Sequence, residues 1–412
     1  MQNTETLEDK ANKGLFWRLS SLQFLFHFAA ASGTYLTVFL LQQGVSPDRV
    51  GFISAINSAI VIMSTPFWGT IADKIRSIRK VLLLCVSFAV VLWALVPASS
   101  RVFVGPLAAM YIIIPIGAFF RMPANSLIDA YTVQSAEQHT LPFGHIRLWG
   151  SIGWVLMCFI LSYVLPRTGV EFAFYLYGFS FIPFFIILWN TRGTDTVKSR
   201  ERQSFKDMQF GRLFKSYYFI TYMFFSMLMR MPINISFIFL PFLVDSVGGD
   251  TAMIGLVTGF RALLEVPALL LMKPLREKFP LPVAIVAAML IFFVEMLLLS
   301  RATSLFFIVA VISIHGFGQG LIHGAATNYV YLMAPEGLNS TAHTVAGAAN
   351  SIAAIVSSII GGIMIMAVGI HLFYAVMSAV LAVSILCFIG SLLVGVKILK
   401  IPIPLDTGVK KS

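Results

Sequence analysis

The chain has 412 residues; 58% are Ala, Val, Ile, Leu, Met, Phe, Trp, Tyr or Cys, only 11% are charged, and mean hydropathy is +0.87. A soluble domain averages about 25% charged residues, and a soluble fold of this length has no interior for so much apolar surface. This excludes a soluble enzyme, a nucleic-acid-binding protein and a secreted disulfide scaffold. The surplus of 29 Lys and Arg over 18 Asp and Glu then reads as the basic cytoplasmic edge of a membrane protein.

A transmembrane helix needs about 20 mostly apolar residues, so this composition predicts roughly a dozen. The polar, acidic start MQNTETLEDK argues against a cleavable signal peptide. Apolar windows follow near 16–41, 50–72, 81–98, 105–133, 146–166, 171–190, 216–244, 252–273, 281–300, 303–333, 340–368 and 371–397. Ser46-Pro47-Asp48 and Asn339-Ser340-Thr341 are helix starts for the second and eleventh windows. Cys85, Cys158 and Cys387 lie in apolar runs and read as small buried hydrophobes.

Lys and Arg set the orientation. Twenty-one fall in the N-terminal tail, the even-to-odd loops and the C-terminal tail, against four (Arg49, Arg101, Arg167 and Arg301) in the opposite loops. The excess puts both termini in the cytoplasm. The hydrophilic stretch near 191–214 divides the chain in two. The expected organisation is a tail at 1–15, a six-helix bundle at 16–190, a linker at 191–215, a second bundle at 216–397 and a basic tail at 398–412. Six helices, a central loop and six more is the layout of the major facilitator superfamily, an all-α membrane fold whose halves rock about a midplane cavity.

Apart from Arg18, Glu171, Lys273 and Lys397 at window edges, seven charges fall within the spans: Arg121, Arg147, Arg230, Arg261, Asp129, Glu265 and Glu295. Each costs about 2.5–3.5 kcal/mol at a helix centre, so they should face a wet interior or one another. Arg261 and Glu265 are four apart on one helix and are expected to meet. Asp129 is expected to find Arg147. His315 and His323 share a face, and His27 lies in the first window; His27 and His323 read as structural histidines. Glu295 has no acid or base within four residues. Buried carboxyls favour the neutral form, which makes Glu295, with His315 beside it, the proposed proton carrier. A structural Glu295–Arg230 or Glu295–His315 pair stays open, as does Glu265 in the carrier role.

The stretch PANSLIDAYTVQSAEQHTLPFGHIRLWGSIGWVL at 123–156 resembles the lactose permease-like oligosaccharide:proton symporters of that superfamily. Asp129, Arg147 and Trp154 fall on the family's acid, arginine and tryptophan. The resemblance implies hydrogen bonds from the first two to sugar hydroxyls and stacking of the third on the ring. Arg121 joins this set as a further substrate contact. SPDRVGFISAINSAIVIMSTPFWGTIADK at 46–74 is similar to the family's second helix and the superfamily loop motif, with Gly69, Asp73 and Lys74 in place, Arg76 where glycine is expected, and Arg79 one residue late. That loop is expected to form a cytoplasmic gate. In the second half His315 matches a family histidine, while Gly318 stands where the family carries its proton-carrying glutamate; Arg230, Glu265 and Glu295 read as a rearranged charge set.

The resulting expectation is a proton-coupled symporter of a sugar or similar hydroxylated solute in a bacterial inner membrane, acting as a monomer without metal, cofactor or nucleic acid. The alternatives are a nucleoside or aromatic-carboxylate carrier, with Arg121 or Arg147 holding the carboxylate, or a proton-driven exporter. A membrane enzyme is disfavoured, since neither a nucleophile–base constellation nor a zinc or nucleotide motif is visible.

Overall fold

A computed structural model describes residues 7–105, 107–191, 210–335 and 338–402. The expected tails, at 1–15 and 398–412, and the linker at 191–215 fall partly or largely outside these residues.

The helices in chain order are α1 (Leu7–Ala30), continued through a 3-10 segment (Ala31–Tyr35) into α2 (Leu36–Gln42), then α3 (Pro47–Ile75), α4 (Ile78–Ser99), α5 (Met110–Gln138), α6 (Phe143–Thr168) and α7 (Phe172–Asn190). After the short α8 (Phe210–Leu213) come α9 (Tyr217–Ile238), α10 (Leu240–Ser246), α11 (Ile254–Lys278), α12 (Leu281–Leu299), α13 (Leu305–Met333), α14 (Asn339–Val368) and α15 (Ile370–Lys397). A hairpin of two-residue strands, β1 (Phe103–Val104) and β2 (Leu107–Ala108), joins α4 to α5. Eleven of the described helices are long and apolar enough to cross a membrane, or twelve if α9 and α10, bent by 54°, form one span. Pro241 accounts for the bend: it has no N–H for the helix ladder, and its ring displaces the carbonyl four residues back.

Local chemistry sets the boundaries. Ser77, Ser216 and Ser304 each accept a backbone N–H three residues on, opening α4, α9 and α13. Gly169 and Gly369 close α6 and α14 with φ of +88° and +80°, a region glycine enters without strain. The fifth and eleventh spans thus terminate alike, as expected of an internally repeated sequence. Between 33% and 56% of each span's most apolar window is buried in protein, so the remaining apolar surface is left for lipid.

The chain forms two compact units. The first comprises the described parts of 1–43, 59–200 and 252–259; the second comprises those of 44–58, 201–251 and 260–412. In the first, Gly153 lets α6 press on the backbone of α1, where any Cβ would strike Phe24 O. Its core holds the aromatic cluster Phe39, Trp93, Phe174, Tyr177, Phe181 and Phe184. In the second, Gly316 brings α13 against Arg261 O of α11, and a Cβ on Gly362 would fall 2.5 Å from Pro47 O. Cys85 and Cys158 are buried as expected; Cys387 is exposed on α15, which corrects that part of the reading.

Candidate functional site

In the first unit α5 presents Asp129 and α6 presents Arg147. Arg147 Nε lies 3.4 Å from Asp129 Oδ1, and the two side chains are 36% and 35% exposed, so the pair is accessible. Gln23 of α1 donates its amide to the same Oδ1 at 3.0 Å and to Thr132 Oγ1 at 3.1 Å. His27, one turn along α1, holds Gln23 O through Nδ1 at 3.0 Å; its buried Nε2 makes no close hydrogen bond among the described residues, with Asn125 the side chain nearest to doing so. Gly150 makes room for this crowd: a Cβ there would sit 2.8 Å from Arg147 Nη1 and 2.9 Å from His27 Nδ1. Gly150 and Gly153 of the α6 motif therefore serve packing, and the motif's arginine and His27 occupy the space that Gly150 leaves, while Gly144 faces open space. Trp154, two turns past Arg147 on α6, is half-buried. Sequence reading missed Gln23, because a residue 106 positions away carries no local sign of its partner.

Arg121 of α5 is placed differently. Its guanidinium lies 4.4 Å over the Trp93 ring, with Nη1 against Gly33 in the 3-10 segment, 2.6 Å from where a Cβ would be. Among the described residues it makes no ion pair or hydrogen bond, and the buried Tyr177 hydroxyl is the polar group that acts on it electrostatically. A guanidinium on an indole face gains roughly 0.5–2 kcal/mol, against about 2.5–3.5 kcal/mol for placing it in the membrane, so the ring alone leaves Arg121 under-compensated.

The second unit holds two carboxylate–histidine pairs. His315 Nδ1 of α13 lies 2.7 Å from Glu295 Oε2 of α12, with the side chains 2% and 1% exposed, and Phe292 packs on the imidazole at 4.8 Å. Two turns along α13, His323 Nδ1 lies 3.2 Å from Glu265 Oε1 of α11, and Gln319 Nε2 is 2.8 Å from His323 Nε2. With the amide assigned as donor, that geometry fits His323 carrying its proton on Nδ1. Glu265 does not meet Arg261 as expected: the guanidinium instead lies 4.8 Å over Phe237. The i,i+4 spacing permitted the contact, but His323, from a neighbouring helix, takes the carboxylate. Arg230 likewise has no acid within ion-pair distance among the described residues, contrary to its placement in the charge set, and His323 is a partner in this network as well as a structural group. Gly318, where the resemblance led to an acid, faces Ile291 Cγ2 and Phe292 Cε1, each 3.0 Å from a would-be Cβ, so a side chain there would be crowded.

The motif loop between α3 and α4 is tight. Arg76 takes φ +53°, a conformation easy for the glycine the motif leads one to expect. Arg79 donates to the carbonyls of Trp189 and Thr191, both at 3.3 Å, closing the C-terminal end of α7. Gly69 has open space around it, and Asp73 and Lys74 are exposed.

Helices long and apolar enough to span a membrane here carry a partly buried ion pair and two histidine–carboxylate pairs, the intramembrane charges expected at a functional site. The MFS_1 like family model matches residues 16–376. The chain belongs to that family, and is thus a transporter and no enzyme. It is 25% identical over 352 residues to the maltose permease of Geobacillus stearothermophilus, covering 83% of this chain and 86% of the relative. Its fold matches the crystal structure of the nucleoside transporter NupG with a TM-score of 0.78, at 16% identity and over 92% of this chain and 99% of that one. It matches a D-xylose-proton symporter with a TM-score of 0.67, at 15% identity and over 96% and 98%.

Proposed function

We propose that the protein is a proton-coupled symporter of a sugar or similar hydroxylated solute, working by alternating access as a monomer in a bacterial cytoplasmic membrane. Both termini face the cytoplasm, and the 16–190 and 216–397 halves are its two bundles. The carrying observation is the accessible Arg147–Asp129 pair: a forked donor beside a strong acceptor suits a polyol. Trp154 stacks on the solute ring. Glu295 takes the proton, with His315 as its partner; their short contact lets one proton rest on either group in a dry environment. The Asp73–Arg79 loop is the cytoplasmic gate. Maltose permease as a relative supports a sugar, and the symporter fold match is compatible with proton coupling.

The test is proton uptake by de-energised cells overproducing the protein, with galactosides, glucosides, nucleosides and aromatic acids added in turn. Alkalinisation of the medium is expected with one class and should be lost in Asp129→Asn and reduced roughly tenfold or more in Arg147→Lys, since a hydrogen bond to a charged group contributes about 1.5–3 kcal/mol. Normal transport by both variants would refute the binding pair.

A further inference from the structure

Arg121, in the middle of α5, meets no carboxylate among the described residues, since Asp129 is taken by Arg147 and Gln23. Beside it is a second unmet demand. Arg121 Nε and Trp93 Nε1 are both buried donors without acceptors, and they belong to side chains in direct contact, the guanidinium lying 4.4 Å over the indole. Trp93 is only 1% exposed, whereas Arg121 keeps part of its surface open. Buried N–H groups rarely go unpaired. The neighbouring stretch of α1 is irregular as well: Ala31–Tyr35 is a 3-10 break in mid-span, and its Gly33 admits the arginine where a Cβ would fall 2.6 Å from Nη1. A positive charge, two idle donors and a helix break coincide at one place.

We infer that this place receives a carboxylate, so that the hydroxylated solute of the proposed symport is an acid, such as a sugar acid. The inference rests on that reading and deepens it. The eight residues from Arg121 to Asp129 rise about 12 Å along α5, a span that lets a carboxylate at one end and hydroxyls at the other engage one solute. A planar carboxylate matches the forked guanidinium. A phosphate dianion would call for more than one cation, and Arg121 has no second one in contact.

The test uses the full-length protein in detergent and follows its thermal unfolding with matched probes: glucuronate against glucose, and benzoate against benzyl alcohol. The acid of a pair is expected to raise the midpoint and its neutral analogue to leave it unchanged. Apparent affinity for the acid should fall roughly ten- to hundredfold in Arg121→Gln, fall less in Arg121→Lys, and weaken in Trp93→Phe, which keeps the ring and removes the N–H. Equal effects of acid and neutral probes, no effect of any acid, or an acid effect retained in Arg121→Gln would overturn the inference. If Arg121→Gln fails to fold, wild-type proteoliposomes decide. A proton carried with a monoanion moves less charge per solute than a proton carried with a neutral sugar, and equal currents overturn the inference. Neutral-sugar alkalinisation that survives in Arg121→Gln would leave symport standing and remove only the carboxylate.

Discussion

Glu295 and His315 form a dry polar contact in the second unit, at 2.7 Å with side chains 1% and 2% exposed. His315 Nε2 is buried without a hydrogen-bond partner, so among the described residues Glu295 is the one group that hydrogen-bonds the imidazole, while Arg261 and Glu265 act on it electrostatically. Glu295→Gln keeps the shape and removes the titratable site. The expected outcome is loss of solute accumulation against a gradient, with solute exchange across proteoliposomes retained; active accumulation by the variant would dismiss Glu295 as carrier. Glu265 and His323 differ at the same scale. Their side chains are 27% and 48% exposed, so that pair is far less enclosed by protein. The sequence favoured Glu295, which lacks a charged neighbour on its own helix, and left Glu265 open; burial also distinguishes the two. Asp129 and Arg147 were readable through their motif. Gln23, the Glu265–His323 contact and the Arg121–Trp93 stack were not, because each joins residues from different helices whose meeting depends on packing.

At the scale of elements, glycines decide how closely helices approach. Gly316 brings α13 onto the backbone of α11, where a Cβ would collide with Arg261 O, whereas Gly69 in α3 faces open space. Gly316→Ala is therefore expected to destabilise by about 1–3 kcal/mol, the usual cost of overpacking, while Gly69→Ala should be neutral or slightly stabilising through helix propensity. Thermal unfolding in detergent distinguishes them, and an unperturbed Gly316→Ala would contradict the close approach. Span positions were legible because twenty apolar residues can hardly do anything else. The window at 216–244 appeared continuous, yet it is broken at Phe239 and bent by 54°. Its run of apolar residues concealed Pro241, whose missing N–H costs nothing in hydropathy.

For the whole molecule, the charge asymmetry of 21 Lys and Arg against 4 predicts an orientation that cysteine labelling can read. Single cysteines at exposed Lys74 and at exposed Arg101, on opposite sides in the predicted topology, should react with an impermeant maleimide only from the cytoplasm and only from outside, respectively. Labelling of both from one side would reverse or refute the topology. A cysteine-free background is needed, since Cys387 is exposed.

Tyr35 carries one more consequence. Its hydroxyl donates to Ala252 O at 3.0 Å and accepts from Gly255 N at 2.9 Å, both within the first unit. The opening turn of α11 is thus capped in trans, by a side chain more than two hundred positions upstream. Where that helix begins is a decision made jointly by two distant stretches of chain. Removing that hydroxyl, as in Tyr35→Phe, would leave the Gly255 N–H and the Ala252 carbonyl without this partner, so the start of α11 depends on a side chain from the far end of the sequence.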